Sequence, residues 1–268
     1  VLDWRSIFFD VYESKSNIAK IMPASHPMMP MKPYRTLPII ECGEPLLAIP
    51  AGQFLLTDPA PYAALGAPYG ESQPWMLRSA VLAALDSAQQ TLHQQQPGWR
   101  LKLFDAYRPN AVQAFMVKHE FLKLSGGRPP ESVDAEERNA LWARTFRIWA
   151  EPSADDLTPP PHSTGAALDV TLADERGCEV FMGSPIDENS DRSTPDYFLG
   201  RDDRIHCRRQ LLLDVMTGAG FLRHQSEWWH FSLGDQMWAW LSLQRDPQGG
   251  YQARYGRADV LPSSSISG

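Results

Sequence analysis

The sequence reads as a single α+β domain. Stretches with helical periodicity alternate irregularly with short extended segments, two strands near residues 221–233 are placed to pair, and no linker-like segment divides the middle of the chain. At 268 residues, with 43% hydrophobic and 21% charged, the chain is long enough for one sizeable core.

Residues 1–31 carry Ile7, Phe8 and Phe9 without a sustained period and end in Met28-Met29-Pro30-Met31-Lys32-Pro33. They read as an extension or arm, with a natural start expected at Met28, Met29 or Met31. The domain proper is expected over 32–256. A flexible tail is expected over 257–268, where Ser263-Ser264-Ser265 lies. Residues 34–69 are Pro-rich with short apolar runs at 37–40 and 46–49, which predicts short extended pieces between turns.

Leu77, Val81, Leu85, Ala88 and Leu92 recur at three- and four-residue steps, predicting a helix over about 75–95 that Pro97-Gly98 ends. Trp99, Leu101 and Leu103 alternate, predicting a strand over 99–104. Asp105-Ala106-Tyr107-Arg108-Pro109 follows, and Pro109 disfavours helix at Arg108, which therefore sits in a turn. Asn110 is expected to cap a helix containing Val112, Phe115, Met116 and Leu122. Asp134-x-x-Glu137 has the form of a capping box, opening a helix with Leu141, Phe146 and Trp149.

Pro152 and the run Pro159-Pro160-Pro161 form a rigid loop that delivers His162 to a strand over 167–172. Gly177, Gly183 and Pro185 mark a long irregular region, of a length uncommon unless functional. Ile205, Leu212, Val215 and Met216 lie on a further helix, stopped by Gly218 and Gly220. Residues 221–222 and 228–233 read as two paired strands.

The net charge of -7 argues against a nucleic-acid surface, which needs a basic stripe. No apolar run approaches the roughly 20 residues that span a bilayer. Neither a nucleic-acid nor a membrane partner is expected. Cys42, Cys178 and Cys207 are too few and too widely spaced for a disulfide framework or a zinc knuckle, and read as buried or idle thiols in a reducing compartment. The first residues lack a basic region followed by an apolar core, so no signal peptide is read there and the cytoplasm is expected.

Two stretches carry chemistry. Ser226-Glu227-Trp228-Trp229-His230-Phe231 joins a carboxylate and an imidazole within aromatic and apolar residues. Such surroundings raise a carboxylate's pKa, which suits a group that takes up a proton and returns it. Pro161-His162-Ser163-Thr164-Gly165-Ala166-Ala167-Leu168-Asp169 sets a second imidazole seven residues from an aspartate, with Gly165 permitting a sharp turn between them. His162, Asp169 and His230 then read as the three ligands of one zinc ion with a fourth position open, and Glu227 as the base that works on water.

Blander readings stand beside this one. His162 alone reads as a surface loop residue and Asp169 as a strand-end carboxylate, although the apolar neighbours of Asp169 suggest burial and hence a need for a cation or strong hydrogen bonds. Glu227 and His230 fit a structural Trp-rich strand about as well. Residues i and i+3 of a strand face opposite ways, so a shared site requires Glu227 in a turn or bulge before the strand. Arg108 suits a developing oxyanion, or an ion pair with Asp105. His26, His93, His119, His206 and His224 have no partner at ligand-like spacing and read as structural or exposed, His224 being close to Glu227.

In combination, His162-x-x-Gly165-x-Ala167-x-Asp169 followed by Glu227-Trp228-Trp229-His230 resembles the zinc D,D-peptidases. Asp105-x-Tyr107-Arg108-Pro109 with Ala111-Val112 and Phe115-Met116, and Met182-Gly183-Ser184-Pro185-Ile186-Asp187, narrow the resemblance to D-alanyl-D-alanine dipeptidases of the vancomycin-resistance type. It runs from about Tyr34 to about Leu243. The resemblance implies a compact α+β domain with a small antiparallel sheet flanked by helices, one zinc ion on His162, Asp169 and His230, Glu227 as catalytic base, Arg108 steadying the transition state, and Asp187 holding the free amino group of a small dipeptide. The chain departs from the family at Pro160 and Pro161, where serines are usual. A related cell-wall D,D-carboxypeptidase or endopeptidase, and a zinc-holding binding module without activity, are the alternatives.

Overall fold

A computed structural model describes residues 32–258, so the N-terminal arm, His26 and most of the expected tail lie outside the described residues. Seven strands run in chain order: β1 (Leu46–Ala48), β2 (Leu55–Leu56), β3 (Met76–Arg78), β4 (Arg100–Asp105), β5 (Ala167–Ala173), β6 (Leu222–Arg223) and β7 (His230–Ser232). Six α-helices accompany them: α1 (Pro61–Ala64), α2 (Ser79–Gln95), α3 (Asn110–Leu124), α4 (Ala135–Thr145), α5 (Asp203–Gly218) and α6 (Gln236–Arg245). The class is α+β, as the sequence predicts.

The central sheet has the order β2-β4-β5-β7-β6, and β1 and β3 form a separate antiparallel pair. Three of the four pairings in the central sheet are antiparallel, but β2 runs parallel to β4. The sheet is therefore larger than expected and mixed at one edge. The two-residue β2 gives no alternation from which its direction could be read.

Alternation along the strands sorts the two faces. Leu101 and Leu103 pair with Leu172 and Val170, and these side chains are fully buried with Leu85, Leu92, Leu212, Met216 and Phe231 in the main core. Asp169 and Thr171, one step out of phase, face the other way. The register slips by one between Leu103 and Asp105. Without that bulge Phe104 would stand opposite Asp169; with it, Asp105 does, and a carboxylate is re-aimed toward the site. Phe104 instead packs against a second cluster built from α3 and α4, with Val112, Phe121, Trp142 and Trp149.

Two helix starts differ from expectation. The periodic run at 75–95 opens as β3 before α2 begins at Ser79, because Leu77 fits either the strand's buried face or the helix period. Pro109, not Asn110, occupies the cap position of α3, and the Asn110 side chain bonds the backbone of Ser153 in both directions instead. Half of the capping box forms: the Asp134 side chain accepts from the Glu137 N–H at 2.9 Å, whereas the Glu137 carboxylate pairs with Arg128. Helix α6 was not anticipated, although Asp235 caps it by accepting from the Trp238 N–H at 2.7 Å.

The three cysteines are free and exposed, so of the two readings, buried or idle thiols, burial does not hold. Among the described residues no helix is long and apolar enough to cross a membrane.

Candidate metal centre and its cavity

Asp169 of β5 and His230 of β7 are direct partners in the antiparallel ladder, which points both side chains to the same face. His162 reaches that face from a 3-10 turn, Pro161–Thr164. Gly165 closes this turn in the left-handed conformation, with φ 70°, and its N–H returns to the His162 carbonyl. The turn the sequence required between His162 and Asp169 is made there. The ligand atoms of His162, Asp169 and His230 all lie within 4.8 Å of one another, and all three residues are buried.

The hydrogen bonds assign the tautomers. His162 Nδ1 donates to the Ala106 carbonyl at 2.8 Å, which leaves Nε2 as a lone pair facing the cluster. Ser232 Oγ gives its proton to Asp235 at 2.9 Å and so accepts from His230 Nε2 at 3.4 Å, leaving His230 Nδ1 unprotonated. Those two lone pairs sit 3.1 Å apart, and His230 Nδ1 is 3.1 Å from Asp169 Oδ1. With both imidazoles neutral, three acceptors thus face each other, an arrangement that an added proton or a cation satisfies. Two imidazole nitrogens and one carboxylate oxygen are the donor set of a catalytic zinc site, and the residues present fit such an ion.

The electrostatics ask for the same positive charge. Burial works against the Asp169 carboxylate, yet the imidazoles of His162 and His230 hold its pKa well below the usual range. Burial and the Arg108 charge oppose protonation of His162, but Asp169 and Asp105 raise it to about 9. Burial keeps His230 below the usual imidazole value.

Glu227 is buried and lies between β6 and β7, just past a turn at residues 225–226, so it precedes the strand as the i, i+3 argument demands. Burial, reinforced by Asp169, raises its pKa to about 8, while Lys32 opposes the rise. Its Oε1 lies 3.2 Å from His224 Nδ1. His224, read from sequence as structural or exposed, lines the cavity instead.

Arg108 is buried rather than on the surface. Its Nε and Nη2 both donate to Asp105 Oδ2 at 3.1 and 2.9 Å, Nη1 donates to Gln113 at 2.7 Å, and Nη2 reaches Tyr62 Oη at 3.3 Å and Asp169 Oδ2 at 3.4 Å. The guanidinium also lies over the rings of Tyr62 and Trp149, at 4.8 and 5.1 Å. The Asp105 ion pair and a place in the site are therefore one arrangement.

Asp187 has a φ of 63°, the single positive value outside glycine among the described residues, and aspartate is one of the few residues that tolerates it. Tyr62 donates to its Oδ2 at 2.8 Å. Burial and the Asp169 charge push its pKa up to about 7, against Arg108 and the Tyr62 bond. Lys32, Arg108, Asp187, His224 and Glu227 line one cavity with the His162–Asp169–His230 cluster. Sequence reasoning did not find Lys32, Tyr62 or Gln113, which carry no spacing signal.

Residues 56–249, more than half of the chain, match the peptidase M15 family, described as D-ala-D-ala dipeptidase. A D-alanyl-D-alanine dipeptidase of Synechocystis sp. is 45% identical over 242 residues, which cover 86% of this chain and 98% of that one. A D-alanyl-D-alanine dipeptidase of Escherichia coli is 33% identical over 139 residues, covering 52% of this chain and 58% of its own. One from Enterococcus faecalis is 30% identical over 159 residues, covering 59% and 72%.

Proposed function

The chain belongs to the peptidase M15 family of D-ala-D-ala dipeptidases, and we propose that it hydrolyses free D-alanyl-D-alanine with one zinc ion on His162, Asp169 and His230. The observation that carries this reading is the facing of three buried acceptors across a gap with Glu227 in the same cavity. When bound, zinc supplies Lewis acidity, polarising a carbonyl and making water easier to deprotonate.

Glu227 takes the proton from the attacking water and passes it to the leaving amine. Burial raises the pKa of the Glu227 carboxyl in the metal-free site, and beside a bound cation it is drawn back toward the ionised form that a base needs. Arg108 donates toward the oxygen that gains charge as the carbonyl carbon turns tetrahedral. Its bonds to Asp105 and Gln113 fix it beforehand, so little reorganisation is needed. Asp187 receives the substrate's ammonium group, which restores its ionised form in a buried position. A peptide extended at its N-terminus lacks that ammonium and is excluded. The free, exposed cysteines support a reducing compartment, the cytoplasm.

The test is metal analysis of the purified protein with cleavage assays on D-Ala-D-Ala and its N-acetyl derivative. About one zinc per chain with cleavage of the free dipeptide alone is expected. Cleavage of the acylated form points instead to a related carboxypeptidase, and zinc without cleavage to a binding module.

A further inference from the structure

A dipeptide carries two charges, and Asp187 accounts for one of them. The carboxylate at the other end needs a cation or strong donors inside the cavity. Pro160 and Pro161, on the loop entering the site, supply neither a backbone N–H nor a hydroxyl. Arg108 is fixed by Asp105, Gln113 and Tyr62 and is assigned above to the oxygen that gains charge at the scissile carbonyl. Among the other basic side chains lining the cavity, His162 and His230 belong to the cluster and His224 lies 3.2 Å from Glu227; Lys32 is half-buried, and no hydrogen bond or ion pair engages its ammonium among the described residues.

Lys32 is held in place. It precedes a 3-10 turn, Pro33–Thr36, whose Arg35 N–H bonds the Lys32 carbonyl at 2.9 Å. Tyr34 of that turn is buried against Leu222, Met237 and Leu241, and the Gln236 side chain of α6 donates to the Leu37 carbonyl at 2.6 Å. Arg35 pairs with Glu151. Burial holds the Lys32 ammonium below the usual lysine range, and the Glu227 charge opposes that shift. Lys32 thus enters the cavity from the turn packed against α6, whereas Asp187 enters beside Tyr62, which donates to it and which Arg108 also reaches, so the two residues line the cavity from different elements.

We propose that Lys32 binds the C-terminal carboxylate of the dipeptide and makes the enzyme require a free C-terminus as well as a free N-terminus. The assignment rests on the dipeptidase reading above. It adds a specificity-determining residue that lies outside every motif of the sequence. With Asp187 matched to the ammonium and Lys32 to the carboxylate, a substrate of two residues fits and a longer one does not.

The experiment compares D-Ala-D-Ala with its C-terminal amide in the zinc enzyme and in Lys32→Gln and Lys32→Arg, following the amide by its own cleavage and as a competitor of the acid. A wild-type preference for the acid is expected. Lys32→Gln should lower kcat/KM for the acid about 10- to 100-fold, mainly through KM, as for loss of one charged hydrogen bond, and leave the amide nearly unchanged. Lys32→Arg should recover most of the acid activity. A preference that is absent in the wild type or unaltered in Lys32→Gln overturns the assignment. So does an equal loss on both compounds with a displaced pH profile, which would make Lys32 an electrostatic neighbour of Glu227 only. A wild-type protein that cleaves neither compound overturns the dipeptidase reading itself and the assignment with it.

Discussion

Asp169 and His230 stand opposite each other in the β5–β7 ladder, and this pairing sets the carboxylate Oδ1 3.1 Å from the imidazole Nδ1. Two of the three candidate ligands are thus fixed by sheet register, the most rigid device the fold has, and only His162 depends on a loop. Asp169→Asn removes the anionic partner while keeping the shape. Zinc content, measured on the purified variant, should fall from about one per chain to well below it. The metal-linked rise in thermal stability should vanish too; for a site filled at a thousandfold excess over its Kd, that rise is worth about 4 kcal/mol. Full zinc content in Asp169→Asn would remove this residue from the ligand set.

Glu227→Ala separates chemistry from metal binding. Glu227 shares the cavity with the cluster but is not one of its three donors. Hydrolysis should fall by about 10²- to 10⁴-fold, the usual worth of a positioned acid–base group, while zinc content stays near one. Loss of metal together with activity would make Glu227 a ligand or a scaffold residue.

Arg108→Lys keeps the charge and loses the fork. Lysine cannot bond Asp105, Gln113 and Tyr62 at once, so the cation would wander in a site where the guanidinium is clamped. A drop in kcat of about 10²- to 10³-fold with a small change in KM is expected, as for loss of a donor to a developing oxyanion. A change confined to KM would assign Arg108 to substrate binding.

The legible parts of the site were those written in local geometry. Gly165 announced a tight turn between His162 and Asp169, and the alternation of a strand forced Glu227 out of it. Arg108 was placed in a turn by Pro109. What stayed hidden depends on tertiary placement. Tyr62, Gln113 and Lys32 are single polar residues on a Pro-rich segment, a helix and the edge of an unperiodic stretch, and nothing nearby marks them. The bulge that turns Asp105 toward Asp169 leaves no trace in Leu101-Lys102-Leu103-Phe104-Asp105, which reads as an uninterrupted strand. Asn110 failed as a cap because the Ser153 backbone, 43 residues away in the chain, competes for its side chain. Helix α6 was obscured by Trp238-x-Trp240, which alternates like a strand although Asp235 caps a helix there.

Glu227 makes its own contribution to the pH dependence of the metal-free protein, isolated by comparison with Glu227→Gln. Its pKa rises from 4.5 unfolded to about 8 folded, chiefly through burial. A raised carboxyl binds its proton more tightly in the folded state. The resulting stability is complete below about 4.5 and is lost as pH climbs through 8. Over that window, wild type should lose up to about 1.4 kcal/mol per pH unit relative to Glu227→Gln, which has no proton to release. Urea titrations of both proteins in chelator at pH 5, 6, 7 and 8 read this directly. Parallel stability curves would mean that Glu227 is solvated in the folded chain.

Gly165→Ala tests whether the turn behind His162 is as constrained as it looks. Two costs act at once. A φ of 70° is unfavourable for any residue with a Cβ, by about 1–2 kcal/mol. The added Cβ would also lie 2.2 Å from Leu46 Cδ2, so that side chain must move. The two terms separate in a double variant, because Leu46→Ala relieves the clash and leaves the backbone strain. Gly165→Ala should lower stability by about 2–4 kcal/mol and weaken zinc binding, since the turn aims His162. Added to Leu46→Ala, it should cost only the backbone part, a non-additivity of at least about 1 kcal/mol in a double-mutant cycle read by thermal unfolding. Strict additivity would show that Leu46 and Gly165 do not touch, and that the conformation of the turn alone makes glycine necessary.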